Sequence, residues 1–148
     1  MAATPVKVLE WTPDYAVHVG ELDREHQIWF DVVNRLHESM LAGEGTRILG
    51  KLLAETIQYT RDHFAHEEKW MAAVHYPELR AHVQQHDELR GEAQGFGERF
   101  ARGEATMTIE FTLFLSAWIK RHIKGTDGLF GQYMSTRRLP TSPECPRY

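Results

Sequence analysis

Apolar positions along this chain recur at three- and four-residue steps in four long blocks, a period that belongs to helices and not to strands. In the first block Phe30, Val33, His37 and Met40 share a stripe. A helix is expected from about Asp23 to Ala42, with the Asp23 carboxylate accepting from the free amides of its first turn. Gly43-Glu44-Gly45 breaks it, and Thr46 is the expected N-cap of the second helix. There Leu49, Leu53, Thr56, Thr60, His63, Glu67 and Trp70 line one face up to about Ala72. Tyr76-Pro77 ends that segment, because proline suits the first turn of a new helix and restricts the residue before it. In the third block Leu79, His82, His86, Leu89, Ala93, Phe96 and Phe100 keep the helical step until Gly103 stops it. The fourth, from about Thr106 to Tyr133, turns Phe111, Leu115, Trp118, Ile119 and His122 inward. Four helices of roughly 20 to 27 residues joined by short loops predict an all-α fold, an antiparallel up-down-up-down four-helix bundle. An irregular N-terminal arm over residues 1–22 precedes it, the folded domain is expected to span 1–134, and 135–148, rich in proline, reads as a disordered tail.

A length of 148 residues is one domain's worth of chain, enough to bury a core. With 17 Lys+Arg against 21 Asp+Glu, a net charge of −4 leaves no basic surplus for a phosphate backbone or an anionic membrane. Neither nucleic acid nor membrane is therefore expected as a partner. The single cysteine, Cys145, cannot close an internal disulfide, so packing or metal must hold the fold. The N-terminus lacks the basic start and apolar run of a secretion signal, and no stretch reaches the roughly 18 apolar residues of a spanning helix. A cytoplasmic monomer is expected.

Nine histidines change the picture, because five of them fall on the inner stripes. One histidine on an apolar face is ordinarily a satisfied core or boundary residue. Here His63-x-x-x-Glu67 sets an imidazole and a carboxylate one turn apart, roughly 6 Å of rise, and His82-x-x-x-His86 repeats the spacing with two imidazoles. His26 and His122 lie on the inner stripes of the first and fourth helices. In an antiparallel bundle the start of the first helix, the end of the second, the start of the third and the end of the fourth share one end of the molecule. His26, Glu67, His82 and His122 all lie within a few turns of that end. Burying such a layer costs several kcal/mol per charged or unpaired group unless something compensates it. A metal does so, and five imidazoles exceed what one ion needs; two adjacent metals bridged by carboxylate fit the number. His122-x-x-x-x-Asp127 is less regular, since five residues overshoot a turn of an ideal helix by about 140°. A widened, π-type turn near Lys124-Gly125 would align the two. From spacing alone, Asp127 is equally a residue that caps the end of the helix.

Taken as an ordered set, Asp23-x-x-His26, His63-Phe64-x-x-Glu67-Glu68, His82-x-x-x-His86 and Trp118-x-x-x-His122-x-x-x-x-Asp127 resemble the bacterial hemerythrins, and the motifs span residues 11 to 133. The resemblance implies a non-haem di-iron protein that binds dioxygen reversibly, a carrier or store and not an enzyme. It further implies one iron held by His82, His86 and His122, another held by His26 and His63, and Glu67 and Asp127 bridging them with an oxo or hydroxo group. The two-His iron keeps a coordination position open for dioxygen, so a dry pocket is required above it. Ile119 and Trp118 are the side chains expected over that position, with Trp29, Phe30 and Phe64 completing the wall; each by itself is equally an ordinary core residue. His18, His37, His66 and His75 match no ligand position, and His66 and Glu68 are expected at the solvent boundary.

Two other chemistries fit less well. A zinc peptidase needs His-Glu-x-x-His, which His66-Glu67-Glu68-Lys69-Trp70 does not complete, and five imidazoles overfill one zinc. A ferritin-like oxidase uses paired Glu-x-x-His segments, and no glutamate here has histidine at the third residue. A third alternative keeps the site but assigns it to sensing or detoxifying oxygen, nitric oxide or peroxide alongside a separate partner protein.

Overall fold

The computed structural model describes residues 7–104 and 107–136. After a 3₁₀ turn at Pro13–Tyr15 the chain forms α1 (Gly20–Leu41), α2 (Thr46–Ala73), α3 (Leu79–Ala101) and α4 (Met107–Arg121). A π-helical turn at His122–Asp127 then leads into α5 (Gly128–Thr136). Each helix packs on the next and α1 also packs on α4, which closes the ring of an antiparallel four-helix bundle. The inner stripes meet as the sequence pattern requires: Trp29, Phe30, Val33, Leu36, Phe64, Leu89, Phe111, Leu115 and Ile119 are all buried. None of the described helices is long and apolar enough to cross a membrane.

The boundaries differ from expectation where capping chemistry decides them. α1 starts at Gly20, three residues before Asp23, so Asp23 lies inside the first turn. Its carboxylate instead accepts from the backbone N–H of Val17 at 2.8 Å and of His18 at 3.1 Å, tying the arm down. Thr46 is the first helical residue of α2, and Gly45 takes the capping position without a side-chain bond. Gly43 and Gly103, at φ of +74° and +94°, turn α1 and α3 off in left-handed conformation, where a Cβ is disfavoured. His75 does the same at the end of α2 with φ of 56°, and the following Tyr76 N–H bonds back to the Met71 carbonyl at 2.9 Å. α5 continues to Thr136, past the expected start of the tail; residues 137–148, Cys145 among them, lie outside the described part.

The arm is part of the core. Asn34 accepts from the N–H of Val8 and Leu9, both at 2.9 Å, and donates to the Leu9 carbonyl at 2.7 Å. Further on, the arm crosses α5 so closely that a Cβ on Gly131 would lie 2.3 Å from the Val17 carbonyl oxygen, leaving room only for glycine.

Candidate metal centre

His26 enters from α1, His63 and Glu67 from α2, His82 and His86 from α3, and His122 and Asp127 from the π-helical turn, and every one is buried. The five-residue step from His122 to Asp127 is spanned by that π turn, as the spacing requires, and brings His122 Nε2 within 3.0 Å of Asp127 Oδ1. This wider turn is what places both side chains on one face.

The two carboxylates divide their oxygens between two groups of imidazoles. Glu67 turns Oε2 toward His26 Nε2 (3.4 Å) and His63 Nε2 (3.5 Å), and Oε1 toward His82 Nε2 (2.9 Å) and His86 Nε2 (3.1 Å). Asp127 turns Oδ2 toward His26 Nε2 (3.2 Å) and Oδ1 toward His82 Nε2 (2.9 Å) and His122 Nε2. His86 Nε2 and His122 Nε2 lie 3.1 Å apart, so those two rings aim at one point. The result is a two-imidazole side and a three-imidazole side joined by two carboxylates.

The outward nitrogens of three rings are held from behind. His63 Nδ1 meets Glu25 Oε1 at 2.7 Å, His86 Nδ1 meets Glu68 Oε2 at 2.7 Å, and His122 Nδ1 meets Gln85 Oε1 at 2.9 Å. Arg90 steadies Glu68 at 2.9 Å, and the Thr126 hydroxyl donates to Gln85 Oε1 at 2.8 Å. Such backing fixes ring orientation and leaves Nε2 free to ligate. These helpers carry no periodic signal in the sequence, because Glu25, Glu68 and Gln85 are each chain neighbours of an inner-stripe residue and so fall at the stripe's edge. Glu68 and His66 do sit at the solvent boundary as expected.

Hydrogen bonding within the protein does not satisfy this cluster. Both ring nitrogens of His26, Nε2 of His63, Nδ1 of His82, Oε2 of Glu67 and both oxygens of Asp127 are buried without a hydrogen-bond partner. Burial works against charge on the His26 and His82 rings, yet Asp127 and Glu67 outweigh it and push them up to about 10 and about 9. Burial alone would raise Glu67, but the facing imidazoles of His26, His82 and His86 hold it well below the usual carboxylate range. Asp127 is likewise held low: burial and the Glu67 charge oppose ionisation, and His122 and His26 prevail. Burial pulls His63 down, with Glu25 opposing. Protein partners thus hold the carboxylates as anions facing imidazoles, an arrangement in which a cation can take the place of protons. Five imidazoles and two carboxylates, with His26 Nε2, His63 Nε2, Glu67 Oε2 and both Asp127 oxygens turned toward the cluster without hydrogen bonds, fit first-row metal ions.

Of the residues expected around the open position, Phe64 stacks on His86 at 3.8 Å between centroids and an angle of 3°, and Trp118 stacks on His122 at 4.4 Å and 19°. Trp29 packs against His26 and His63 and donates its indole N–H to Thr60 at 2.9 Å. Ile119 is fully buried one turn before His122, whereas Trp118 remains partly exposed. Phe30 has its ring contacts with Trp11 and Tyr15 of the arm. His37 is buried at a distance from the cluster and bonds Thr112 Oγ1 at 3.0 Å.

Comparison with known proteins agrees with this geometry. The family model for the hemerythrin HHE cation-binding domain matches residues 17–133. A bacteriohemerythrin of Methylococcus capsulatus is 34% identical over 129 residues, covering 86% of this chain and 98% of that protein. One from Stenotrophomonas maltophilia is 29% identical, covering 81% and 77%. The crystal structure of a wild-type hemerythrin superposes with a TM-score of 0.80 at 34% identity, over 86% of this chain and 98% of that one. The sequence motifs, the bundle and the buried histidine–carboxylate cluster therefore have one explanation: the chain belongs to the hemerythrin family of HHE cation-binding domains.

Proposed function

We propose that this protein binds dioxygen reversibly, as a carrier or store, at a pair of iron ions held by seven side chains. His82, His86 and His122 hold one iron, His26 and His63 the other, and Glu67 and Asp127 bridge the two. The observation that carries this reading is the division of the Glu67 and Asp127 oxygens between a three-imidazole side and a two-imidazole side. One side is a donor short, and that shortage leaves a place for a small ligand. When bound, the irons supply the electrons and the open coordination position that dioxygen requires.

The chain's own residues keep that position useful. Glu25 and Glu68 hold the rings of His63 and His86 so that each presents Nε2 inward. Phe64, Trp29 and Ile119, all fully buried, line the surroundings with apolar surface and keep out the water and anions that would compete with dioxygen. A histidine-rich set with only two carboxylates also favours binding over the oxygen activation typical of carboxylate-rich centres.

The test is anaerobic reduction of the iron-loaded protein followed by admission of air, with iron counted per chain and the visible spectrum recorded. Two irons per chain and an absorption band that appears with oxygen and vanishes on its removal are expected. Irreversible bleaching, or a chain that holds no paired iron, overturns the reading.

A further inference from the structure

A second group of metal-ligating side chains lies on the flank of the buried centre. Glu21 and Glu25, one turn apart on α1, face His66 of α2: His66 Nε2 lies 3.4 Å from Glu21 Oε2, and its Nδ1 hydrogen-bonds to Glu25 Oε2. One ligand atom from each of the three lies within 4.8 Å of the others. Unlike the buried seven, these side chains are 26%, 21% and 32% exposed, so solvent ions reach them. The indole N–H of buried Trp70 fixes Glu21 at 3.0 Å. The other Glu25 oxygen is the one that meets His63 Nδ1, so a single carboxylate joins the outer group to the buried centre. A surface cleft of about 410 Å³ opens here, lined by Glu25, Ile28, Tyr59, Asp62, His63 and His66. Its inner wall is His63, 2% exposed, whose Nδ1 faces Glu25 on this side and whose Nε2 points away, toward Glu67 Oε2 at 3.5 Å.

We propose that Glu21, Glu25 and His66 form an outer divalent-cation site through which ferrous iron passes to the buried centre. The proposal rests on the di-iron reading above. An imidazole with two carboxylates suits Fe²⁺, Mn²⁺ and Zn²⁺, and three protein donors leave positions for water, as suits a site that must release its ion. Glu25 and Asp62 line the cleft with no Lys or Arg among its lining residues, and Glu21 adjoins it across His66, a charge balance that draws cations from solution. A second cleft, over His122, carries Arg121 beside a single carboxylate, Glu88, and lacks this attraction. Iron stays ferrous throughout: bonds to His66 and the carboxylates form and break, and any displaced proton goes to solvent.

The experiment uses the full chain and two variants that leave the buried seven intact, His66→Ala and Glu21→Gln. Metal-free protein is mixed anaerobically with Fe²⁺, and uptake is followed by tryptophan fluorescence and by iron analysis at the end. Iron-loaded protein is separately titrated with Co²⁺ by calorimetry and absorption. Expected are one additional Co²⁺ per loaded wild-type chain, none in either variant, and iron uptake slowed about tenfold in both, with the final content still two per chain. The proposal is overturned if loaded wild type takes no further cation, if the variants bind it as wild type does, or if they load at the wild-type rate. Failure of wild type to retain any buried iron would instead overturn the di-iron reading, and a Co²⁺ titration of metal-free wild type against the two variants would then report on the outer site as one ion fewer per variant chain.

Discussion

The two ends of this bundle bury polar groups in opposite ways. At the end away from the centre, His37 meets Thr112 and Asn34 satisfies three backbone groups of the arm. Among the described residues, those buried side chains have partners within the fold. At the other end, seven atoms on five side chains are buried with none. An unsatisfied buried polar atom costs about 1–3 kcal/mol, so a chain that satisfied one end could not leave the other open without a ligand to close it. The contrast separates polar groups kept for folding from polar groups kept for binding.

The sharpest way to break the contrast is to remove a ligand. His82→Ala or His122→Ala is expected to abolish stable two-iron loading and to lower the melting temperature of the iron-treated protein. Iron at a thousandfold excess over its dissociation constant contributes about 4 kcal/mol to the folded state, and that contribution disappears with the site. Iron analysis and thermal melts with and without chelator check this; a wild-type melt unmoved by chelator would contradict it. Next in size, Ile119→Ala should cost about 2–5 kcal/mol by leaving a cavity beside His122, and should shorten the lifetime of the oxygenated form several-fold by admitting water. Equal lifetimes in the two proteins would remove Ile119 from the pocket wall.

A smaller effect concerns pH and opposes the metal-free to the loaded protein. With His26 pushed up to about 10 and His82 to about 9 from an ordinary 6.5, their contribution in the metal-free fold is complete below about pH 6.5. It is lost as pH rises through 9 and 10. Glu67 and Asp127, held low, contribute above their ordinary range and lose that contribution only in acid. Urea midpoints of chelator-treated protein should therefore fall from about pH 6 to about pH 10. Iron affinity should rise over the same interval, because neutral imidazole is the liganding form. Parallel trends in the two measurements would refute the account. Least of all, His37→Leu is expected to cost about 1 kcal/mol, since Thr112 retains its bond to the Ile109 carbonyl at 3.0 Å, and to leave iron content at two. A loss of iron in that variant would erase the distinction between the two ends.

Much of this was legible from residue order alone. The helical stripes carried the bundle, and the shared depth of His26, Glu67, His82 and His122 carried the centre, because an inward-facing imidazole must repeat with the apolar period. The five-residue gap before Asp127 fitted a π turn and a capping residue equally, and the structure has the π turn. Helix starts were less legible: Asp23 has the right chemistry for a cap but spends it on Val17 and His18, a tertiary choice that local propensity does not encode. Glu25, Glu68 and Gln85 were missed because a stripe-edge residue becomes a partner only when the neighbouring helix arrives. Gly131 gave no sign of its role either, since the segment it accommodates lies more than a hundred residues earlier in the chain.

The widened turn at His122–Asp127 has a mechanical consequence. It holds one residue more than an α-helix would in the same length, so everything beyond it is rotated by about 100° relative to an unbroken rod. Phe130 and Met134 owe their inward positions to that offset as much as Asp127 does. The turn therefore acts as a buckle: it sets both the direction of Asp127 and the face by which the last helix meets the arm at Val17, and relaxing the bulge would let both go together.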